Sequence, residues 1–339
     1  MDAILFGNGF NLLTDDCPTW AKLLKSLSKQ DNKLILDKIP PTLQYEQVCI
    51  ASRPSVADLS SETAERELKE KVRAKLAKIK TNGFYKRLQN LGVSVFLTTN
   101  YDHAFYDNAE RAVTGRNHSE KVYSIKRWKK VRVDKRDFTL FQIHGDISNL
   151  QSIMLGLDHY GGALANVQDY VKGYVKDKSS NKKSSGPSGM HYSISRRLMY
   201  GDSPDASAFG CTDNGTPLIS WIDAFFFADL HIIGINLDFS EIDLWWLLSR
   251  RARLLKNNLA KNKIYYYPTF PLSEIEDHRP KLQLLEQMNV TVVYLKQTAV
   301  DESGAPDYPA IYDEQLHNLE TRLNRGLELS LIHISEPTR

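Results

Sequence analysis

The apolar positions of the chain fall into two recurring patterns. Short solid runs, "DAILF" at 2–6, "VSVFLTT" at 93–99, "FTLFQIHGD" at 138–146 and "DLHIIGINL" at 229–237, read as strands buried on both faces. "SIMLG" at 152–156 predicts a further short strand, and "NKIYYYP" and "NVTVVYL" supply the last two. Between them lie stretches with helical spacing. "CPTWAKLLKSL" puts Trp20, Leu23, Leu24 and Leu27 on one face behind Pro18. "SSETAERELKEKVRAKLAKIK" at 60–80 carries Leu68, Val72, Leu76 and Ile79 as its buried stripe. A helix is expected after Asp102, and another over "SEIDLWWLLSRRARLL", where Trp245 and Trp246 are assigned to the core.

Strands that alternate with helices predict an α/β fold: a Rossmann-like, mostly parallel sheet with helices on both faces. The sequence from 1 to 328 reads as one domain, with a helical insertion at about 31–90. The lysine- and serine-rich stretch at about 177–189 has no apolar anchors and is expected to be a flexible basic loop. The last residues, "LSLIHISEPTR" from Leu329 to Arg339, look like the translation of a transposase adaptor used in sequencing-library preparation. The natural chain is therefore expected to depart from this one near Glu328.

Composition narrows the class. A net charge of +3 does not mark the whole molecule as a general nucleic-acid binder. Arg127, Lys129, Lys130 and Arg132 around Trp128 read first as a solvated hairpin or loop, and second as a phosphate-contacting patch within 111–136. Cys17, Cys49 and Cys211 stand far apart, which argues against a zinc ribbon or a disulfide framework and suggests a reducing cytoplasm. The most hydrophobic run, "SWIDAFFFADLHIIGINLDF", carries Asp223, Asp229, His231 and Asp238 and reads as core, so no membrane partner is expected.

In such sheets ligands bind beyond the carboxyl ends of the strands. Four strands here end in glycine or polar residues: Gly7-Asn8-Gly9, Thr99-Asn100-Tyr101-Asp102, His144-Gly145-Asp146 and Gly234-Ile235-Asn236. They are expected to converge on one crevice. Each has a plainer reading. Gly7 and Gly9 can simply make a tight turn, Asn100 or Asp102 can cap the next helix, and His144 can be a buried histidine bonded to backbone.

Taken in order, "FGNGFN", "PTWAKLL", "LTTNYDHAFYD", "IHGDI", "IMLGLDHY" and "IIGINLDFSEIDLWWLL" resemble the sirtuin-like family, in particular its bacterial NAD-hydrolase branch found in antiphage defence. The resemblance runs from residue 4 to about 250. It implies cleavage of the nicotinamide–ribose bond of NAD, with NAD as substrate and no zinc. Gly7, Asn8, Gly9, Phe10 and Asn11 would then form the phosphate and ribose loop, with Thr99 and Gly145 at neighbouring strand ends. Asn100 would face the nicotinamide ribose, Asp102 would bind the carboxamide, and His144 would be the catalytic histidine. Gly234, Ile235 and Asn236 would hold the adenosine side. The family's alanine between the first two glycines and its serine beyond them are replaced here by Asn8 and Asn11, and the cysteine quartet of the deacylase branch is absent. Protein deacylation, ADP-ribosyl transfer and a non-catalytic NAD or ADP-ribose sensor stay open as alternatives. The resemblance also implies control by self-assembly into a homo-oligomer or by a partner: an Argonaute-like protein, a translocase-type ATPase or a sensor.

Overall fold

The computed structural model describes residues 1–14, 17–28, 39–52, 61–114, 123–172, 194–200, 220–296 and 299–335. The expected loop at 177–189 lies outside these residues. Eight strands form one sheet: β1 (Asp2–Phe6), β2 (Val95–Thr98), β3 (Arg111–Thr114), β4 (Trp128–Val133), β5 (Arg136–Gln142), β6 (Asp229–Ile233), β7 (Ile264–Tyr267) and β8 (Val290–Val292). Their spatial order is β3-β4-β5-β2-β1-β6-β7-β8. The pairs from β5 through β8 are parallel, and only β3–β4 and β4–β5 are antiparallel. The sheet is therefore mostly parallel, with an antiparallel hairpin closing one edge.

Alternation along β1 explains why both faces are covered. Ala3 and Leu5 enter one core with Leu97, Phe225, Leu230 and Leu247. Ile4 and Phe6 enter the other with Phe96, Tyr85, Leu24 and Val72. The first core is covered by α5 (Leu157–Lys172), the short α6 (Ile194–Tyr200) and α7 (Ala224–Phe227), and α8 (Ile242–Lys256). The second is covered by α1 (Trp20–Leu27), α2 (Pro41–Ser52), α3 (Ser61–Leu76), α4 (Gly83–Gln89) and the first turns of α10 (Tyr308–Ser335). The last parallel pair is bridged by α9 (Ile275–Gln287). Thr19 caps α1 by accepting the Lys22 N–H at 3.3 Å, and Asn82 caps α4 through the Tyr85 N–H at 3.0 Å. Among the described residues, no helix is long and apolar enough to cross a membrane.

Three local expectations are corrected. "SIMLG" forms no strand: Ile153, Met154 and Leu155 are buried loop, with the Met154 N–H on the His144 carbonyl at 2.9 Å. A short apolar run fits a buried irregular segment as well as a strand. The segment after Asp102 makes a single 3-10 turn, Ala104–Tyr106, because Phe105 and Tyr106 turn into the core before the chain leaves for β3. Trp245 and Trp246 are half-buried at the margin of the core, Trp245 stacked on the exposed Phe239 at 5.2 Å.

In the 111–136 segment the named cations all have protein partners. Lys129 is paired with Asp146, Arg132 with Asp137, Lys130 donates to Thr139 Oγ1 at 2.7 Å, and the buried Arg127 reaches the Gln142 carbonyl at 3.4 Å.

Register sets up the site. Phe6 stands beside both Thr98 and Ile233, and Thr98 beside Gln142. The residues that follow, Gly7, Thr99, Gly234 and Ile143-His144, thus leave the sheet along one line. From β1 the chain runs outward to β2 and β5, then returns to β6 on the other side of β1, which opens a crevice at that reversal.

Phe225 is fully buried and Ile50 is 66% exposed. Phe225→Ala is expected to cost about 3–5 kcal/mol in chemical denaturation. Ile50→Ala should stay within about 0.5 kcal/mol of the parent.

Candidate functional site

The crevice above these strand ends has a volume of about 870 Å³. That suits a ligand of dinucleotide size. Its walls include Asn8 and Gly9 from the first loop, Thr99, Asn100 and Asp102 after β2, His144 after β5, and Gly234, Ile235 and Asn236 after β6. Tyr101, Tyr160, Trp20, Phe270, Tyr308 and Tyr312 also line it.

Gly7, Phe10, Asn11 and Gly145 do not reach the crevice wall, and each has a different task. Gly7 lets the first loop pass beside β6, since a Cβ there would lie 2.8 Å from the Ile235 Cβ. Phe10 is wholly buried between Tyr85 and Tyr312, with ring centroids 5.6 and 5.0 Å away. Gly145 has φ +125°, and a Cβ on it would lie 2.4 Å from the Ser152 carbonyl oxygen, so the turn that presents His144 requires glycine. Asp146, next along, fixes that turn by accepting from the Ser148 N–H at 2.7 Å and pairing with His103 at 2.9 Å and with Lys129. Those partners overcome its burial and hold its carboxyl well below the usual range.

Asn11 lies beneath the site. Its Nδ2 donates to Asn8 Oδ1 at 2.9 Å and to Asp102 Oδ2 at 2.8 Å, and its Oδ1 accepts from the Tyr85 hydroxyl at 2.7 Å. Asn100 Nδ2 donates to the same Tyr85 oxygen at 3.1 Å and to the Gly7 carbonyl at 3.3 Å. One buried network thus ties the first loop, α4 and the end of β2 together. Asp102 also accepts the Ala104 N–H at 2.9 Å, so it caps the turn and faces the crevice at once. Burial raises its pKa despite these donors, of which Ala104 and Asn11 pull hardest the other way.

His144 is almost fully buried. Its Nε2 is 3.1 Å from Asp243 Oδ2 and its Nδ1 3.2 Å from the Tyr160 hydroxyl. Burial alone would lower its pKa, but the charge and hydrogen bond of Asp243, aided by Glu241, outweigh burial and the opposing Arg127, so the imidazole titrates above its ordinary value. Glu241 lines the crevice, and its Oε2 is buried without a hydrogen-bond partner among the described residues. Burial pushes its carboxyl up to about 8, helped by Asp243 and Asp238 against His144 and Lys281. It therefore keeps its proton, and with it the ability to donate, to higher pH than an ordinary carboxyl.

On the far side Lys281 Nζ donates to the Asn236 carbonyl at 2.6 Å and to its Oδ1 at 2.7 Å, which leaves the Asn236 amide nitrogen for the crevice. Cys17 also lines the wall, but burial pushes its thiol up to about 11, so it is no nucleophile at neutral pH. Among the described residues no cluster of three or more His, Cys, Asp or Glu is placed to hold a metal ion.

Tyr85, Tyr160, Glu241 and Asp243 are the participants that sequence reasoning missed. The last two lie inside the quoted "SEIDLWWLL" motif, where a charged residue every second position at a helix start was the available signal. Tyr160 closes the quoted "IMLGLDHY" motif without having been singled out, and Tyr85, in the first turn of α4, stood in no quoted motif.

Tyr85→Phe removes the donor to Asn11 and leaves a buried amide oxygen short of a partner. A loss of about 1–3 kcal/mol is expected in urea denaturation followed by circular dichroism.

No curated protein matches the chain. The family model described as the SIR2-like domain matches residues 94–184, a span that holds Asn100, Asp102 and His144 and leaves the Gly7–Asn11 and Gly234–Asn236 loops outside it.

Proposed function

We propose that this protein hydrolyses NAD at the nicotinamide–ribose bond, giving nicotinamide and ADP-ribose. The observation that carries the reading is the meeting of Asn100, Asp102 and His144 in one dinucleotide-sized crevice at the sheet's order reversal. The SIR2-like match over the same three residues supports it, since that family uses NAD.

The chemistry asks little of the protein beyond placement. Nicotinamide leaves as a neutral molecule, so its departure needs no general acid. The site must orient the bond, stabilise an oxocarbenium-like carbon and present water. Asn100, held by Tyr85 and the Gly7 carbonyl, is fixed to face a ribose. Asp102, held by Asn11 and Ala104, is fixed to accept from the carboxamide. His144, supported by Asp243, accepts the proton that the attacking oxygen releases. The exposed Asn8, the Asn236 amide and the rings of Phe270 and Tyr308 supply polar and stacking contacts for the adenosine half.

Unrestrained NAD hydrolysis would kill the cell that carried it. A cytoplasmic effector of antiphage defence, held silent by self-assembly or by a regulatory partner until infection, fits that constraint. The Argonaute-like, translocase-type and sensor partners of similar proteins are the kinds to seek.

The test is nicotinamide release from NAD by the purified protein, beside Asn100→Ala and His144→Ala of confirmed fold. Loss of about 10²–10⁴ in rate is expected for His144→Ala. A protein that fails to bind NAD at all overturns the reading.

A further inference from the structure

Both ring nitrogens of His144 are already engaged by protein groups, which constrains how it can act. Asp243 meets Nε2 at 3.1 Å, and the side chains of the pair are only 2% and 1% exposed. A carboxylate only accepts, so Nε2 carries the proton in the neutral ring, and Nδ1 is the acceptor for the Tyr160 hydroxyl at 3.2 Å. The second Asp243 oxygen accepts the Leu244 N–H at 2.9 Å, which locks the carboxylate in the first turn of α8. His144 and Asp243 come from segments 99 residues apart, and a buried ionisable pair carries a desolvation cost. Tyr160, from α5, is also part of the crevice wall.

We propose that Asp243, His144 and Tyr160 form a proton relay whose crevice end is the Tyr160 hydroxyl, with Asp243 as its positioning residue. The proposal rests on the hydrolase reading and specifies the path of the proton within it. The bond from the ribose C1′ to the nicotinamide nitrogen breaks, its electron pair leaving with the ring as neutral nicotinamide. The water oxygen forms the new bond to C1′. Its proton passes to the Tyr160 oxygen as the Tyr160 proton passes to His144 Nδ1. The resulting imidazolium is held by Asp243 and then gives one proton to solvent. Tyr160 itself stays protonated between turnovers, because burial and the neighbouring Tyr101, Glu241 and Asp243 raise its pKa far above the ordinary value.

The groups facing His144 fix the sign of its pH dependence. Asp243 and Glu241 come from the start of α8, Arg127 from the entry to β4, and Tyr160 from α5. Burial and Arg127 lower the imidazole pKa, and the charge and hydrogen bond of Asp243, with Glu241 beside it, raise it by more. The relay needs the neutral ring. Activity should therefore appear only as pH rises through that raised value, which puts the acid limb of kcat above about 6.5.

Asp243→Asn removes the charge that raises the ring's pKa, so the acid limb should move to lower pH while kcat falls. Tyr160→Phe keeps the ring that packs against His144, at 5.1 Å between centroids. It should lower kcat about 10²-fold and leave the dissociation constant for NAD within about threefold. The decisive experiment is the pH profile of nicotinamide release for wild type and both variants, with the His144 pKa followed by NMR of histidine-labelled protein. A His144 pKa that falls in Asp243→Asn, together with the shifted limb and the slow Tyr160→Phe, supports the relay. Wild-type release that persists unchanged in both variants overturns the relay and leaves hydrolysis standing. A wild type that fails to bind NAD overturns hydrolysis itself.

Discussion

The structure depends on a constraint at one buried amide. Asn11 has no exposure to solvent, and its side chain must find all its partners inside the protein. It finds them in Asn8, Asp102 and Tyr85, and Tyr85 in turn takes the Asn100 amide. A loop after β1, a short helix and the end of β2 are thereby locked together without any salt bridge. A buried network of this kind tolerates little misplacement, because any group left unpaired carries its full desolvation cost. The two side chains that face the crevice, Asn100 and Asp102, inherit that rigidity.

The same reasoning orders the other half of the site. The turn at Gly145 presents His144, and Asp146 holds that turn with His103 and Lys129. The acidic groups at the start of α8 then divide by environment. Asp243 is committed to His144 and to its own helix N-terminus, while the Glu241 Oε2 is buried without a partner and its carboxyl titrates near 8. Two carboxyl groups two residues apart thus meet opposite surroundings, Asp243 held by two hydrogen bonds and Glu241 pushed by burial toward its neutral, donating form.

Much of the architecture was legible from hydrophobic pattern. The runs at 2–6, 95–98, 229–233 and 264–267 are strands because both faces of the sheet are covered, and a solid apolar run is what such a strand requires. "SIMLG" misled for the same reason, since burial alone does not distinguish a strand from a loop packed against it. The turn after Asp102 misled because the Asp does cap, yet the aromatic pair that follows turns inward before a helix can propagate.

The sequence by itself determined the class of sheet, the polar character of its four strand ends and the glycines that let those ends turn, because these depend on local sterics and the spacing of apolar residues. Only the tertiary structure decided which of those residues face the crevice. Phe10 and Asn11 lie one and two positions beyond Gly9 in a 3-10 turn, and they point into the core. Asp243 reaches His144, and Tyr85 reaches Asn11, across 99 and 74 residues of chain. Partnerships at that range are set by the register of β1 with β2 and β6 and by where the helices land on the sheet. Those are properties of the packed whole, and no local pattern along the chain encodes them.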